Sequence, residues 1–187
     1  MEIKILLDAD HNYTVDGVPH PGVSTILNIY FPPSEFYTEA GKEKGTIRHS
    51  WYNFLAQGLT PGEKPDPRIA GEMEQFRKWL VLVQPCRLGG EKPFAVKGLV
   101  CGTPDWYGEI AGRLSVVDFK PKTRNKRTQV QTAAYQYILK KNNIMILDRY
   151  ELRLSPTTFR LEKHKDINDV RRWEAMMYGF FAAEFYR

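Results

Sequence analysis

The stretch Leu99-Val-Cys-Gly102-Thr-Pro104-Asp105-Trp106-Tyr107-Gly-Glu-Ile110-Ala111-Gly112-Arg113-Leu-Ser-Val116-Val117-Asp118-Phe119-Lys120 decides the fold. Its apolar, β-branched and aromatic content reads as two strands, Leu99 to Tyr107 and Arg113 to Lys120, around a turn at Ile110-Ala-Gly112. An antiparallel register centred between Ala111 and Gly112 sets Asp105 opposite Asp118, with Cβ atoms roughly 5 Å apart. Carboxylates that close repel each other, and a shared hard cation resolves the repulsion. Lys120, two residues beyond Asp118, leaves the strand on the same side, whereas Val117 and Phe119 face the other side, where they can be buried. A salt-bridged sheet edge accounts for Asp118 and Lys120 as well.

Outward from this hairpin, the period of the apolar residues changes. A strand is expected at Lys92 to Val96 and another at Arg149 to Leu154, ended by Pro156. Helices are expected at about Thr128 to Lys141 and Ile167 to Tyr186, the second with Val170, Trp173, Met177, Phe180 and Phe181 on a core stripe. Upstream, Tyr13 to His20 reads as a hairpin turning at Asp16-Gly17, and Ser24 to Tyr30 as an apolar segment stopped by prolines. A helix from Thr46 to Ala56 has Thr46 as N-cap, Gly58 as stop, and Ile47, Trp51, Phe54 and Leu55 on one face. Asp66-Pro67 is read as opening a further helix whose core face is Met73, Phe76, Leu80 and Val83. The fold class expected is mixed α/β, a central mixed β-sheet flanked by α-helices.

The chain has 187 residues, with 42% hydrophobic and 13% aromatic side chains, which excludes disorder as its main state. The length fits one domain: an N-terminal hairpin and helices over 1–90, a catalytic sheet and helix over 91–155, and a C-terminal helix over 166–187. Two cysteines, Cys86 and Cys101, exclude a disulfide framework and a four-cysteine cluster within one chain. The N-terminus does not read as a signal peptide, and Met176 to Ala183 falls short of the roughly 20 apolar residues of a membrane span. A cytoplasmic protein is expected, in a cell or phage-encoded within a host, with no membrane partner. Net charge is +5, and the cations cluster: Lys120, Lys122, Arg124, Lys126 and Arg127 lie within eight residues. Such a run is either a solvated face or a track for a polyanion.

Pro104-Asp105 followed by Asp118-Phe119-Lys120 resembles the PD-(D/E)xK nuclease motif. Gln131-Thr-Ala-Ala-Tyr135 and Gly45-Thr-Ile-Arg-His49 resemble the accessory motifs of its RecB-type exonuclease branch. Tyr13 to Gly17 and Pro21 to Leu27 are similar to the opening of compact phage-type members. The resemblance implies a restriction-endonuclease-like core and hydrolysis of DNA phosphodiester bonds with Mg2+ or Mn2+. The function expected is an exonuclease on single strands or DNA ends in recombination, repair or replication. A structure-selective endonuclease and a catalytically silent DNA-binding subunit are the alternatives.

By the same resemblance, Asp105, Asp118, the backbone carbonyl of Phe119 and His49 are metal ligands. Lys120 positions or deprotonates the nucleophilic water or neutralises charge on the phosphate, and Gln131 orients Lys120 or the phosphate. Tyr135 and Glu91 are accessory candidates, with Tyr135 the more readily structural. Lys122, Arg124, Lys126 and Arg127 are placed to follow a phosphate backbone, and Trp106 or Tyr107 to stack on bases unless they are core. The sequence departs from the pattern at Asp118, where glutamate is more frequent, and at Pro121-Lys122, where a small residue and glycine are usual. Ser50 and Trp51 also follow His49 where relatives often have an acid.

Overall fold

The structure, a computed structural model, describes residues 3–8, 11–32, 38–59, 62–121 and 126–184. The deciding hairpin forms as β7 (Trp106–Ile110) and β8 (Arg113–Pro121). Trp106 pairs with Val117 and Ile110 with Arg113, so the register is the expected one. Ala111 and Gly112 both take positive φ, 50° and 70°. This is the two-residue turn whose twist matches the flanking strands. It carries Asp105, the residue before β7, toward Asp118.

The upstream arm is not one strand. It breaks into β6 (Val100–Gly102) and β7 at Thr103-Pro104-Asp105, where proline offers no ladder N–H. β6 pairs instead with β5 (Phe94–Val96) in a two-stranded ribbon. The main sheet gains an edge strand, β4 (Cys86–Gly89), antiparallel to β7. Beyond β8, helix α4 (Lys126–Lys141) crosses over to β9 (Asp148–Leu154), which lies parallel to β8. β10 (Phe159–His164) returns antiparallel to β9 as the other edge. The five-stranded order is therefore β10-β9-β8-β7-β4, a mixed sheet. The last helix, α5 (Asn168–Glu184), packs with α4.

The N-terminal part is a three-stranded meander, β1 (Ile5–Leu7), β2 (Tyr13–Val15) and β3 (Val18–His20). Then come α1 (Val23–Tyr30), α2 (Glu39–Ala56) and α3 (Ala70–Val83). Helix α2 begins well before Thr46 because Thr38 is its cap, the Thr38 hydroxyl accepting from Gly41 N–H at 3.2 Å. Gly45 is thus interior to the helix and faces open space, so it permits no close approach. Helix α3 starts later than Asp66-Pro67. Those residues form a preceding turn in which the Asp66 carbonyl accepts from Ile69 N–H.

Alternation along β8 separates two chemistries. Val117 and Phe119 face an aromatic core with Tyr52, Phe76, Trp79 and Trp106, whose neighbouring ring centroids lie 4.7–6.0 Å apart. Burying each such ring is worth roughly 1.5–3 kcal/mol. Trp106 is fully buried there and presents no face to a base, which corrects the stacking role. Phe54, expected on the apolar face of α2, is exposed; Tyr52 takes its place in the core. Val116 faces the opposite side, covered by α1, α4 and α5 through residues such as Ile138, Trp173 and Met177. On that second side Asp118 and Lys120 end the strand. No helix among the described residues is long and apolar enough to cross a membrane.

Candidate metal centre

Three elements deliver one acidic pocket. Helix α2 supplies His49, the loop after β4 supplies Glu91, and the start of β7 supplies Asp105. One ligand atom from each lies within 4.8 Å of the others. His49 Nδ1 is 3.5 Å from Asp105 Oδ1 and 3.5 Å from Glu91 Oε1, too long for strong hydrogen bonds and open to an inserted ion.

Each residue is held by its own local structure. Helix α2 is fixed to α3 by Arg48, one residue before His49, whose guanidinium grips the buried Glu72 carboxylate through Nε and, at 3.1 Å, through Nη2. Tyr52 donates to the same carboxylate at 3.4 Å. Glu91 enters because the chain at Gly90 passes so close to Asp105 that a Cβ there would lie 2.3 Å from the Asp105 carbonyl oxygen. Glu91 itself takes a left-handed backbone, φ 52°, and its N–H donates to the Pro104 carbonyl at 2.8 Å. Arg87 joins loop to helix, donating from Nη2 to Asn53 Oδ1 at 3.0 Å and to the Gly90 carbonyl at 3.2 Å. Asn53 lies one helical turn from His49 on the same face of α2. Asp105 Oδ2 accepts the Phe119 N–H at 2.6 Å. Phe119 therefore touches this centre through its amide, while the carbonyl was the group expected to act.

Asp118 is adjacent. It is 0% exposed. Lys120 Nζ lies 2.8 Å from Asp118 Oδ2 and forms an ion pair with it. Burial first, and then the nearby Asp105 charge, push Asp118 up to about 6 despite the Lys120 ammonium. Asp105 is also raised, by burial, against the opposing pull of His49 and Lys120. Burial pulls His49 down, but the Asp105 and Glu91 charges outweigh it and raise its affinity for a proton. Lys120 behaves alike: burial disfavours its charge, and Asp118 and Asp105 more than restore it. In this charge state Lys120 is an ammonium, suited to neutralising an anion.

The donor set fits a divalent cation. Glu91 Oε1 and the Asp118 oxygens are buried carboxylate oxygens, whose desolvation cost the Lys120 ammonium offsets at Asp118. Two carboxylates and one imidazole offer oxygen and nitrogen ligands to a metal ion. Among the described residues this is the one group of such ligands; Cys86 is exposed and Cys101 buried, both free.

Glu91 thus joins His49 and Asp105, while Asp118 stands outside that converging group, held by Lys120. Gln131 Nε2 donates to Tyr135 Oη at 3.0 Å, one helical turn apart inside α4. Both side chains are buried, and Tyr135 is raised well above its ordinary value by burial and then by Asp118 and Asp105. The pair lies beside the acids without a direct contact to Lys120. Lys126 and Arg127 open α4; Lys126 is exposed, and the Arg127 charge reaches Lys120. Lys122 and Arg124 lie outside the described residues. Sequence reasoning missed Arg87. The Gly89-Gly90 pair ahead of Glu91 was the available sign that this loop runs against other backbone.

No family model matches this chain, and no curated protein does. Among solved structures, one titled "Crystal structure of SSO0001" aligns over 83% of this chain and 83% of its own, with 12% identity and a TM-score of 0.34.

Proposed function

We propose that this chain is a single-domain, metal-dependent deoxyribonuclease that hydrolyses phosphodiester bonds, acting as an exonuclease on single-stranded DNA or DNA ends. The observation supporting this reading is the convergence of His49, Glu91 and Asp105 beside the buried Asp118 and its Lys120. His49, Glu91 and Asp105 would hold Mg2+ or Mn2+, with Asp118 as the neighbouring acid. Such an ion, when bound, supplies Lewis acidity toward a phosphoryl oxygen and lowers the pKa of a bound water.

The chain's own groups do the rest. The Lys120 ammonium, held against Asp118, is placed to neutralise charge that develops on the phosphate. The Phe119 N–H orients Asp105 by fixing Oδ2, which leaves Oδ1 turned toward His49. Gln131 and Tyr135 wall the acids from the α4 side. Lys126 and Arg127 add positive charge at the mouth.

The test compares end-labelled linear with circular single-stranded DNA in Mn2+, using wild type and Asp105→Ala. Degradation of the linear form alone, abolished by the substitution, is expected. Cleavage of circles would overturn the exonuclease reading. Binding of DNA without any metal-dependent cleavage would favour the silent subunit.

A further inference from the structure

The Asp118-x-Lys120 pattern is repeated on the two neighbouring strands. In the observed registers Asp118 pairs with Glu151 and Glu151 with Glu162, while Lys120 pairs with Arg153 and Arg153 with Arg160. Register partners point to the same face, so three acids and three bases form two parallel rows across β8, β9 and β10. Each base is tied to the acid beside it: Lys120 to Asp118 at 2.8 Å, Arg153 Nε to Glu151 at 3.1 Å, and Arg160 Nε to Glu162 at 3.9 Å. Arg153 Nη2 also grips Glu162.

Depth separates the rows. The acid side chains are 0%, 2% and 19% exposed in the order Asp118, Glu151, Glu162. Their bases are 27%, 11% and 73% exposed in the order Lys120, Arg153, Arg160. The inner carboxylates therefore anchor cations whose heads lie further out, in a line running from the metal centre to the sheet edge. Beside the line is a cavity of about 180 Å³ lined by Arg153, Leu154, Ser155, Thr158 and Arg160. Its hairpin wall is braced: Ser155 Oγ donates to the Thr158 carbonyl at 3.0 Å and accepts the Thr158 N–H at 3.0 Å.

We propose that Lys120, Arg153 and Arg160 with this cavity form a phosphodiester subsite, holding the nucleic-acid backbone between the metal centre and the β10 edge. The subsite rests on the nuclease reading for the identity of its strand. Strand spacing of about 4.8 Å puts Arg160 roughly 10 Å from Lys120, within the reach of one or two backbone phosphates. Planar guanidinium groups pre-set by carboxylates suit phosphate oxygens, and each phosphate neutralised adds to the salt dependence of binding.

The experiment measures anisotropy of a fluorescein-labelled 20-residue oligothymidylate, without metal, across a salt series. Arg160→Ala removes an exposed side chain and is compared with Lys78→Ala, an equal charge change on α3 at the opposite face of the sheet. Arg160→Ala is expected to weaken binding about threefold to tenfold and to reduce the slope of log affinity on log salt by about 0.7. Lys78→Ala is expected to change neither. Equal behaviour of the two variants, or no binding by wild type, overturns the subsite. Wild type that binds with this Arg160 dependence, yet never cleaves in Mn2+, leaves the subsite standing and overturns the nuclease reading.

Discussion

Two buried aspartates stand on the β8–β9 pair, Asp148 at its first register position and Asp118 at its middle, and they have opposite electrostatics. Asp148, beside Ser115, is 5% exposed and fully partnered. Arg113 reaches it at 2.8 and 3.1 Å, and Lys163 at 2.7 Å. The Arg113 hydrogen bonds, outweighing burial, hold it down at about 2. Asp118, midway along the pair, is as deeply buried, has Lys120 as its partner against the nearby Asp105 charge, and is pushed up to about 6. The first arrangement is what a sheet uses to tolerate a charge. The second disfavours the charge in the free protein, and such destabilised groups gather where a ligand completes them.

Asp105→Ala should disturb the Asp118 side of this comparison most severely. Metal-dependent cleavage is expected to fall on the order of a thousandfold, with loss of Mn2+ binding by calorimetry and a stability loss of about 1–3 kcal/mol from the orphaned Phe119 N–H. Unaltered Mn2+ affinity would move the metal away from this cluster.

At Asp148 the effect is on stability. The Asp148 pKa is lowered on folding, so its contribution is present above its unfolded value near 3.8 and is lost as pH falls through about 2. The contribution is at most about 2 kcal/mol, reduced by salt because Arg113 and Lys163 are partly exposed. Asp148→Asn should therefore lower stability at neutral pH and flatten the acid limb of urea unfolding measured between pH 2 and 5. Parallel wild-type and variant curves would contradict this.

Arg87→Ala leaves the ligands in place and loosens the spacing of His49 and Glu91. Mn2+ affinity is expected to drop about tenfold. The smallest expected effect is the stability change of Asp118→Asn, under about 1 kcal/mol in chelator, since the substitution removes a disfavoured charge and leaves a partly exposed Lys120. A fall as large as that of Asp148→Asn would erase the contrast between the two aspartates.

The fold was legible wherever a signal is local. The Ala111-Gly112 turn, the alternation that sends Phe119 inward and Asp118 to the other face, and α4 with Gln131 and Tyr135 one turn apart all form as read. Local signals misled where a break or an earlier cap intervened. Pro104 divided one expected strand in two, and Thr38 started α2 eight residues before Thr46. β4 and β10 escaped notice because edge strands are short and polar, and their pairing belongs to partners distant in sequence.

By itself the sequence determined the turn, and with it the register that brings Asp105 toward Asp118, because hairpin geometry depends on residues a few places apart. Only the tertiary structure decided which groups converge. Glu91 reaches His49 and Asp105 through a left-handed backbone pressed against β7, and Arg87 ties that loop to α2. The rows from Lys120 to Arg160 likewise exist only once β9 and β10 pair in register. Contacts between distant segments depend on how whole elements pack, and no spacing along the chain encodes that.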